Sequence, residues 1–129
     1  MGATASDHGH PTARTENLSH HEAQQLYKRI LAEDFNSEEA DQFRGQMLTE
    51  MAKMSSEDGL IMQIHPGSRR NHSNKIFNQF GLDKGFDIPG HTDYVSALKP
   101  LLDQVGLRTD LTIILFTLDE TSYSRELAP

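Results

Sequence analysis

The fold of this chain is constrained most by short apolar runs that alternate with longer helical patterns. Residues 60–64 (LIMQI) are followed at once by the tripeptide HPG, and residues 111–117 (LTIILFT) form a second run. Runs this short, the first of them ended by a proline, are typical of buried parallel strands rather than helices. Small residues at positions 2–6 predict the end of a further strand, followed by a His-rich loop.

Helical patterns fill the intervals between these strands. Ser19 and Glu22 fit a capping box for a helix that continues to about residue 33. Asn36 and Glu39 repeat this arrangement for a longer helix. The predicted buried face of the longer helix consists of apolar residues at helical spacing, namely Ala40, Phe43, Met47, Leu48, Met51 and Met54.

Two further helices are predicted in the second half of the chain. Residues 74–80 form a short one, and residues 82–90 are expected to be a loop. Thr92 is the predicted cap of the next helix, and Pro100 within it predicts a kink or a restart, because proline lacks the backbone N–H of a helical hydrogen bond. The inward positions predicted for this helix are Val95, Leu98, Leu102 and Val105.

A last helical segment, from Glu120 to Pro129, completes an order of strand, helices, strand, helices, strand and helix. This order predicts an α/β fold in which helical crossovers join parallel strands, as in doubly wound sheets and (β/α)8 barrels. A (β/α)8 barrel takes about 250 residues, whereas this chain has 129. Three strands alone would leave two unpaired edges. We therefore expect residues 1–129 to be a partial domain, truncated at both ends.

Composition narrows the class of protein further. The 12 Lys and Arg residues stand against 19 Asp and Glu residues, and the net charge of −7 disfavours binding to nucleic acid. No stretch approaches the roughly 20 apolar residues that span a bilayer, and no signal-peptide pattern is present. The absence of cysteine excludes a disulfide framework and a thiolate metal site. We expect a cytoplasmic protein that binds neither nucleic acid nor membrane.

His65 is the sharpest candidate for a functional residue. It closes a buried strand and is followed at once by a turn, and in an α/β barrel this position lies at the active-site face. A histidine there suits a metal ligand, a proton donor or an oxyanion partner. The alternative is a histidine that only hydrogen-bonds the backbone of the loop. The sequence pattern leaves both open.

The segment Asp7-His8-Gly9-His10 is a second candidate. Two imidazoles spaced H-x-H on an extended strand point to the same side and can hold a divalent cation. A small, non-catalytic module that binds a metal or a partner through this loop is therefore an alternative to an enzyme. A surface loop that happens to be rich in histidine explains the residues as well, because no third ligand is visible nearby in the sequence.

Charged residues after the other strand ends add further candidates. Arg69 and Arg70 follow the strand that ends at His65, and a guanidinium there can hold a carboxylate in bidentate geometry. Adjacent arginines usually point in different directions, so one is expected at the site and the other on the surface; a solvated basic turn is the alternative. Asp119 and Glu120 follow the last strand, and a helix cap is the favoured role for Asp119.

Four blocks of the sequence, in this order, resemble consecutive pieces of bacterial uronate isomerases. They are ATASDHGHPTARTE, FRGQMLTEMAKMSSEDGLIMQIHPGSRRNH, DKGFDIPGHTDYVSALKPLLD and LTIILFTLDETSYSRELAP. The resemblance covers essentially the whole chain. It implies a (β/α)8 TIM-type barrel of the amidohydrolase superfamily, of which residues 2–6, 60–64 and 111–117 are strands 4, 5 and 6.

The same resemblance implies an activity and a set of site residues. The family interconverts D-glucuronate with D-fructuronate and D-galacturonate with D-tagaturonate, an intramolecular oxidoreduction. Asp7 and His65 match active-site residues of strands 4 and 5, and both are expected to be catalytic. Arg70 matches the arginine of an H-x-G-x-x-R-N pattern and is expected to shape the site or bind the substrate.

A divalent metal, zinc, is also implied for the complete enzyme, with its principal ligands after strands 1 and 8 and so outside this chain. His8 and His10 lie after the wrong strand, and the metal hypothesis for them is withdrawn; His65 remains the one possible ligand. The partners implied are a small-molecule uronate and further copies of the complete chain in a homo-oligomer. The 129-residue piece alone is expected to be inactive.

Overall fold

The structure is a computed structural model that describes residues 2–128, so Met1 and the predicted helix end at Pro129 lie outside the described residues. The strands are β1 (Ala5–His8), β2 (Ile61–Ile64), β3 (Ser68–Arg69), β4 (Ile88–Pro89) and β5 (Thr112–Leu115). The helices are α1 (His20–Leu31), α2 (Ser37–Asp58), α3 (Asn74–Phe80), α4 (Tyr94–Val105) and α5 (Glu120–Ser122), which continues into a π-helical turn (Tyr123–Leu127). Within the described range, every helix is too short or too polar to cross a membrane.

The strands β1, β2 and β5 form one parallel sheet in that order, which confirms the predicted α/β class with helical crossovers. The first strand lies later in the chain than predicted. It begins at Ala5 and includes Asp7 and His8, which the sequence pattern assigns to the loop. Asp7 pairs with Gln63. The Asp7 side chain is 60% exposed, so a polar residue is tolerated within this strand.

Both predicted capping boxes are present. At the start of α1, the Ser19 hydroxyl accepts a hydrogen bond from the Glu22 backbone N–H, and the Glu22 carboxylate accepts one from the Ser19 backbone N–H. Asn36 and Glu39 make the same exchange at the start of α2. These bonds satisfy backbone donors that a helix start leaves without partners. Because the bonds are local, the sequence alone predicts both helix starts correctly.

The buried face of α2 matches only in part the one that its apolar residues predict, since Leu48 is buried and Met51 packs against the core. Met54 is 57% exposed. The buried positions are mostly small or polar, namely Gly45, Gln46, Leu48, Thr49, Ala52, Ser55 and Ser56. The segment after β1 explains this, since a Cβ atom at Gly45 would lie 3.2 Å from the Arg14 carbonyl oxygen. The Thr49 hydroxyl also donates to the Glu16 carbonyl oxygen at 2.6 Å.

The helix α4 is continuous through Pro100, so the predicted restart is wrong. Its cap is Asp93, whose side chain accepts from the Ser96 backbone N–H at 3.0 Å, rather than Thr92. Of the predicted inward positions, Leu98 and Val105 are buried, together with Tyr94 and Leu101, whereas Val95 and Leu102 are exposed.

Thr15 connects the segment after β1 to α4 through hydrogen bonds next to Pro100. Its backbone N–H and its hydroxyl both donate to the Ala97 carbonyl oxygen, at 2.9 and 2.6 Å. The same hydroxyl accepts from the Leu101 backbone N–H at 3.2 Å. Thr15 is buried. A side chain from another part of the chain thus joins the helix at the point where proline disturbs its hydrogen bonds.

The core lies on one side of the sheet. Leu48 and Ala52 of α2 and Leu98 and Leu101 of α4 pack against Met62 and Ile64 of β2, and Tyr94, Val105 and Ala13 complete the cluster. The opposite face carries Ile61 and Ile114, which are 38% and 36% exposed. Parallel sheets are normally covered on both faces, so within residues 2–128 this sheet has one face left open.

Residues 65–93, between β2 and α4, form a long segment beside the carboxyl ends of the strands, and we call this segment the excursion. It contains β3, α3 and β4, and β3 pairs antiparallel with β4. The predicted helix over residues 74–80 is confirmed. The predicted loop over residues 82–90 contains β4, a strand of two residues that is too short to leave a sequence pattern.

Candidate active site

Asp7 and His65 meet at the carboxyl ends of two neighbouring strands. His65 directly follows β2, and its backbone N–H donates to the His8 carbonyl oxygen at 3.0 Å, which extends the ladder by one residue. Asp7 pairs with Gln63 and so lies on the open face of the sheet. The His65 Nε2 and Asp7 Oδ2 atoms are 3.0 Å apart. The structure therefore brings the two residues expected to be catalytic into direct contact.

This contact fixes which ring nitrogen of His65 is available for chemistry. A carboxylate accepts hydrogen bonds and cannot donate them, so Nε2 carries the proton in this pair and Nδ1 is the second nitrogen of the ring. A carboxylate in this position orients an imidazole and selects its tautomer. The His65 side chain is 35% exposed, which leaves the ring accessible to a ligand.

His65 lines a cleft of about 420 Å³ between the strand ends and the excursion. Ligand pockets commonly have volumes of roughly 300–1,000 Å³. The basic side chains on the cleft are those of His10, His65, Arg69, Arg70 and His91, and no Asp or Glu is among its described lining residues. In a chain with a net charge of −7, the guanidinium groups of Arg69 and Arg70 on this cleft favour an anionic ligand.

Arg70 lines the cleft and also faces two carboxylates of the excursion. Its Nη1 atom lies 3.5 Å from Asp87 Oδ2 and 4.0 Å from Asp83 Oδ1. The next residue, Asn71, reinforces this arrangement: its backbone N–H donates to Asp87, and its side-chain oxygen accepts from the Asp83 backbone N–H. Arg69 also lines the cleft and has no carboxylate within 4.0 Å among residues 2–128.

His8 and His10 do not form a metal site with their surroundings. Burial lowers the pKa of both imidazoles, and for His10 the neighbouring His8 and Arg44 lower it further. His8 Nε2 is 3.0 Å from the Ser6 hydroxyl. Across the part of the chain that the structure describes, no three His, Cys, Asp or Glu side chains converge in a way that could hold a metal ion. These residues therefore do not fit a complete metal centre by themselves.

Asp119 caps α5, as the sequence favoured: its side chain accepts from the Thr121 backbone N–H at 3.0 Å. The Ser122 hydroxyl donates to the other carboxylate oxygen at 2.7 Å, and this bond holds the pKa of Asp119 below its ordinary value. The same oxygen lies 3.3 Å from Nδ1 of His91. Glu120 is exposed at the first position of the helix.

His91 is the lining residue that the sequence reasoning missed. It lies between β4 and the Asp93 cap of α4 and is exposed. The signal available was a histidine in a loop directly before a helix cap, and loops at strand ends carry functional residues more often than the elements they join. That signal is too common to single out one of the chain's 7 histidines.

Comparison with known proteins assigns the family. The model of the family described as glucuronate isomerase matches residues 1–128. The chain belongs to the glucuronate isomerase family. It is 68% identical over 129 residues to a uronate isomerase of Mesorhizobium japonicum and 66% identical over 129 residues to one of Rhizobium meliloti. Each alignment covers 100% of this chain and 28% of the relative.

Solved structures of the glucuronate isomerase family agree with this fold. A crystal structure of glucuronate isomerase from Caulobacter crescentus matches 98% of this chain with a TM-score of 0.94 and 62% identity, and the match covers 26% of that protein. A uronate isomerase structure from Thermotoga maritima matches 94% of the chain with a TM-score of 0.80 at 24% identity, a likeness of fold. The chain thus spans about a quarter of the length of the relatives it matches.

Proposed function

We propose that residues 1–129 are one segment of a uronate isomerase that interconverts D-glucuronate with D-fructuronate and D-galacturonate with D-tagaturonate, and that Asp7, His65 and Arg70 are its contribution to the active site. The observation that carries the proposal is the Asp7–His65 pair on a cleft lined by basic side chains. A uronate is a sugar with a carboxylate, so it needs polar groups for its hydroxyls and a cation for its charge. The cleft offers both.

A (β/α)8 barrel is the larger fold that best accounts for the sheet. The strands β1, β2 and β5 follow one another in chain order, and α2 and α4 pack on the same face. A doubly wound sheet has helices on both faces, whereas a barrel has them all outside. In a barrel the open face with Asp7, Ile61 and Ile114 is the interior. This arrangement supports three consecutive barrel strands for β1, β2 and β5, and the family resemblance proposes that they are strands 4, 5 and 6.

The reaction proposed moves hydrogen between C2 and C1 of the open-chain sugar. The C2–H proton leaves, an enediolate forms, and a proton is added at C1 while the oxygen-bound proton passes from O2 to O1, so the formula is unchanged. Such a step needs a group that accepts and returns a proton near the operating pH and donors that stabilise the enediolate oxygen. His65 Nδ1 is the proton-accepting atom in this proposal, with Asp7 holding the ring through Nε2.

Arg70 is proposed to bind the substrate, with its guanidinium held by Asp87 at the mouth of the cleft. A divalent metal, zinc, is proposed for the complete enzyme on the family resemblance, with its principal ligands on other segments. The described residues do not form a metal centre by themselves. The complete enzyme is further proposed to be a cytoplasmic homo-oligomer.

The experiment that tests this proposal compares two proteins. One is the full-length polypeptide encoded by the gene that contains this segment, and the other is the 129-residue chain. We expect the full-length protein to convert D-glucuronate to D-fructuronate in a coupled assay and the 129-residue chain to be inactive. A full-length protein with no activity on either uronate would overturn the assignment. Turnover by the 129-residue chain would overturn the claim that other segments are required.

A further inference from the structure

We propose that His91 is a second substrate-binding imidazole of this cleft and that Asp119 is the residue that positions it. The inference rests on the proposed function, because it names a further residue that holds the uronate. Two observations carry it: His91 lines the cleft that His65 lines, and its ring is held at both nitrogens. A structural role of His91 in the fold does not explain these two observations, because its side chain is 57% exposed and contributes little to the core.

The contacts of His91 determine the form of its ring. Nδ1 is 3.3 Å from Asp119 Oδ2, and Nε2 is 3.4 Å from Nη2 of Arg125. Because the carboxylate accepts and the guanidinium donates, Nδ1 carries the proton and Nε2 presents a lone pair. The ring is therefore held in one tautomer. His65 is held by a carboxylate too, through its other nitrogen, Nε2.

Asp119 is itself fixed before any substrate binds. Its Oδ1 atom caps α5 through Thr121, and its Oδ2 atom accepts from the Ser122 hydroxyl at 2.7 Å. Ser122 is fully buried. This series of contacts ties His91, on one side of the cleft, to the end of β5. A site held in this way before binding loses less entropy when it binds its ligand.

The position of His91 also suits a hydrogen bond to a bound uronate. The cleft has His65 at the strand ends and Arg70 at the excursion, and His91 lies beside Asp119, the cap of α5. When substrate displaces Arg125 from Nε2, that nitrogen accepts a hydrogen bond from a sugar hydroxyl. His91 thus contributes to binding, and proton transfer at carbon stays with His65.

The test uses the full-length isomerase and steady-state kinetics with D-glucuronate and D-galacturonate. We expect His91→Ala to raise KM about tenfold, the loss of one hydrogen bond, with kcat changed much less. Asp119→Asn keeps a cap acceptor but removes the charge that orients the ring, and it should raise KM in the same direction. His91→Gln, which retains a hydrogen-bonding side chain, should recover part of the loss. His72→Gln is the matched control, because His72 is an exposed histidine outside the cleft.

The outcomes separate this inference from the proposed function. If the wild-type enzyme is active and His91→Ala has the KM of the His72→Gln control on both uronates, the inference is wrong while the proposed function stands. A fall in kcat with no change in KM would also overturn it, because it would place His91 in the chemical step. A wild-type enzyme without isomerase activity would overturn the proposed function itself. Calorimetric titration of each variant with D-glucuronate checks the binding constant independently of turnover.

Discussion

Gly9 and His65 approach so closely that a side chain at position 9 would collide with the imidazole. A Cβ atom built on Gly9 would lie 2.6 Å from Cε1 of the His65 ring and 3.2 Å from Nε2. Real Cβ atoms do not come this near to another heavy atom, so either the ring or the strand end would have to move. Since Nε2 is the atom that contacts Asp7, the absence of a side chain at Gly9 is part of the geometry of the proposed site.

We therefore expect Gly9→Ala to displace His65 from Asp7 and to lower kcat/KM of the full-length enzyme by about tenfold or more, because misplacing a catalytic group by about 1 Å is costly. Gly2→Ala is the matched control, since a Cβ atom there would meet no atom within 4 Å. Both variants are assayed with D-glucuronate. Equal kcat/KM values for the two would show that the His65 ring tolerates the added methyl group and would contradict the prediction.

Asp7 and His65 should behave as one unit in mutational kinetics. We expect Asp7→Asn and His65→Asn each to lower kcat by about 10²–10⁴-fold, the range for loss of a general acid–base group. The double variant should be little worse than the more severe single variant, because residues that act together are not additive. Single and double variants are compared with the wild type in the same assay. Effects that multiply in the double variant would mean that the two residues act independently.

The sequence predicts His65 correctly as the residue that ends a strand, because a short apolar run stopped by Pro and Gly is a local pattern. The two capping boxes are predicted correctly for the same reason, since Ser19 and Asn36 bond residues three positions away. The buried face of α2 is predicted only at Leu48. It depends on how closely the segment after β1 approaches Gly45, a contact between residues about 30 positions apart in the chain.

The site shows the same division between local and distant contacts. Asp7 and His65 are 58 residues apart, and no spacing pattern in the sequence links them. Without the register of β1 and β2, only the family resemblance predicts that both residues belong to one site. His91 is missed because its significance depends on Asp119, 28 positions away. Thr92 is mistaken for a cap because threonine is a common cap residue, whereas here its backbone bonds Ser122 across the fold and Asp93 takes the cap.

Thr15 offers a test of how the segment after β1 stabilises α4. Thr15→Val keeps the shape of the side chain but removes the hydroxyl that bonds Ala97 and Leu101, which leaves a buried backbone N–H without its partner. We expect a loss of about 1–3 kcal/mol in the free energy of unfolding, the usual cost of such a group. The measurement is the midpoint of urea-induced unfolding. Thr12→Val is the control, because Thr12 is exposed and should shift the midpoint very little.

Two histidines beside the site predict how stability depends on pH. Burial lowers the pKa of His8 and of His10 from the ordinary value of 6.5. As pH falls below that value, the unfolded chain binds protons that the folded chain does not yet bind, so the folded state loses stability. The loss should begin near pH 6.5, above the range in which the carboxylate of Asp119 titrates.

We expect the melting temperature to fall between pH 7.5 and pH 5.5 and the fall to be smaller in a His8→Asn, His10→Asn double variant. His72→Asn, at an exposed position, should leave the pH dependence unchanged. Differential scanning calorimetry at constant ionic strength gives the comparison. A melting temperature that is constant over this range in the wild-type protein, or a fall that the double variant does not reduce, would show that burial of these imidazoles does not govern stability near neutral pH.

The open face of the sheet gives opposite predictions for the 129-residue chain and for the complete enzyme. Ile114 is 36% exposed on β5, and within the described residues β5 and β1 have unpaired edges. In the isolated chain this apolar face and these edges should drive self-association. We expect Ile114→Lys to make the isolated chain more soluble and less associated, as measured by size-exclusion chromatography with light scattering.

In the full-length enzyme the same substitution should be destabilising, because in a barrel the side chain of Ile114 is enclosed by the other strands and a buried unpaired charge is costly. We expect a loss of several kcal/mol or failure to fold, in line with large single-site effects in protein cores. Leu107→Lys is the control in both proteins, since Leu107 is 100% exposed. If Ile114→Lys were as harmless as Leu107→Lys in the full-length enzyme, this face would not be interior, and the barrel assignment of β1, β2 and β5 would be wrong.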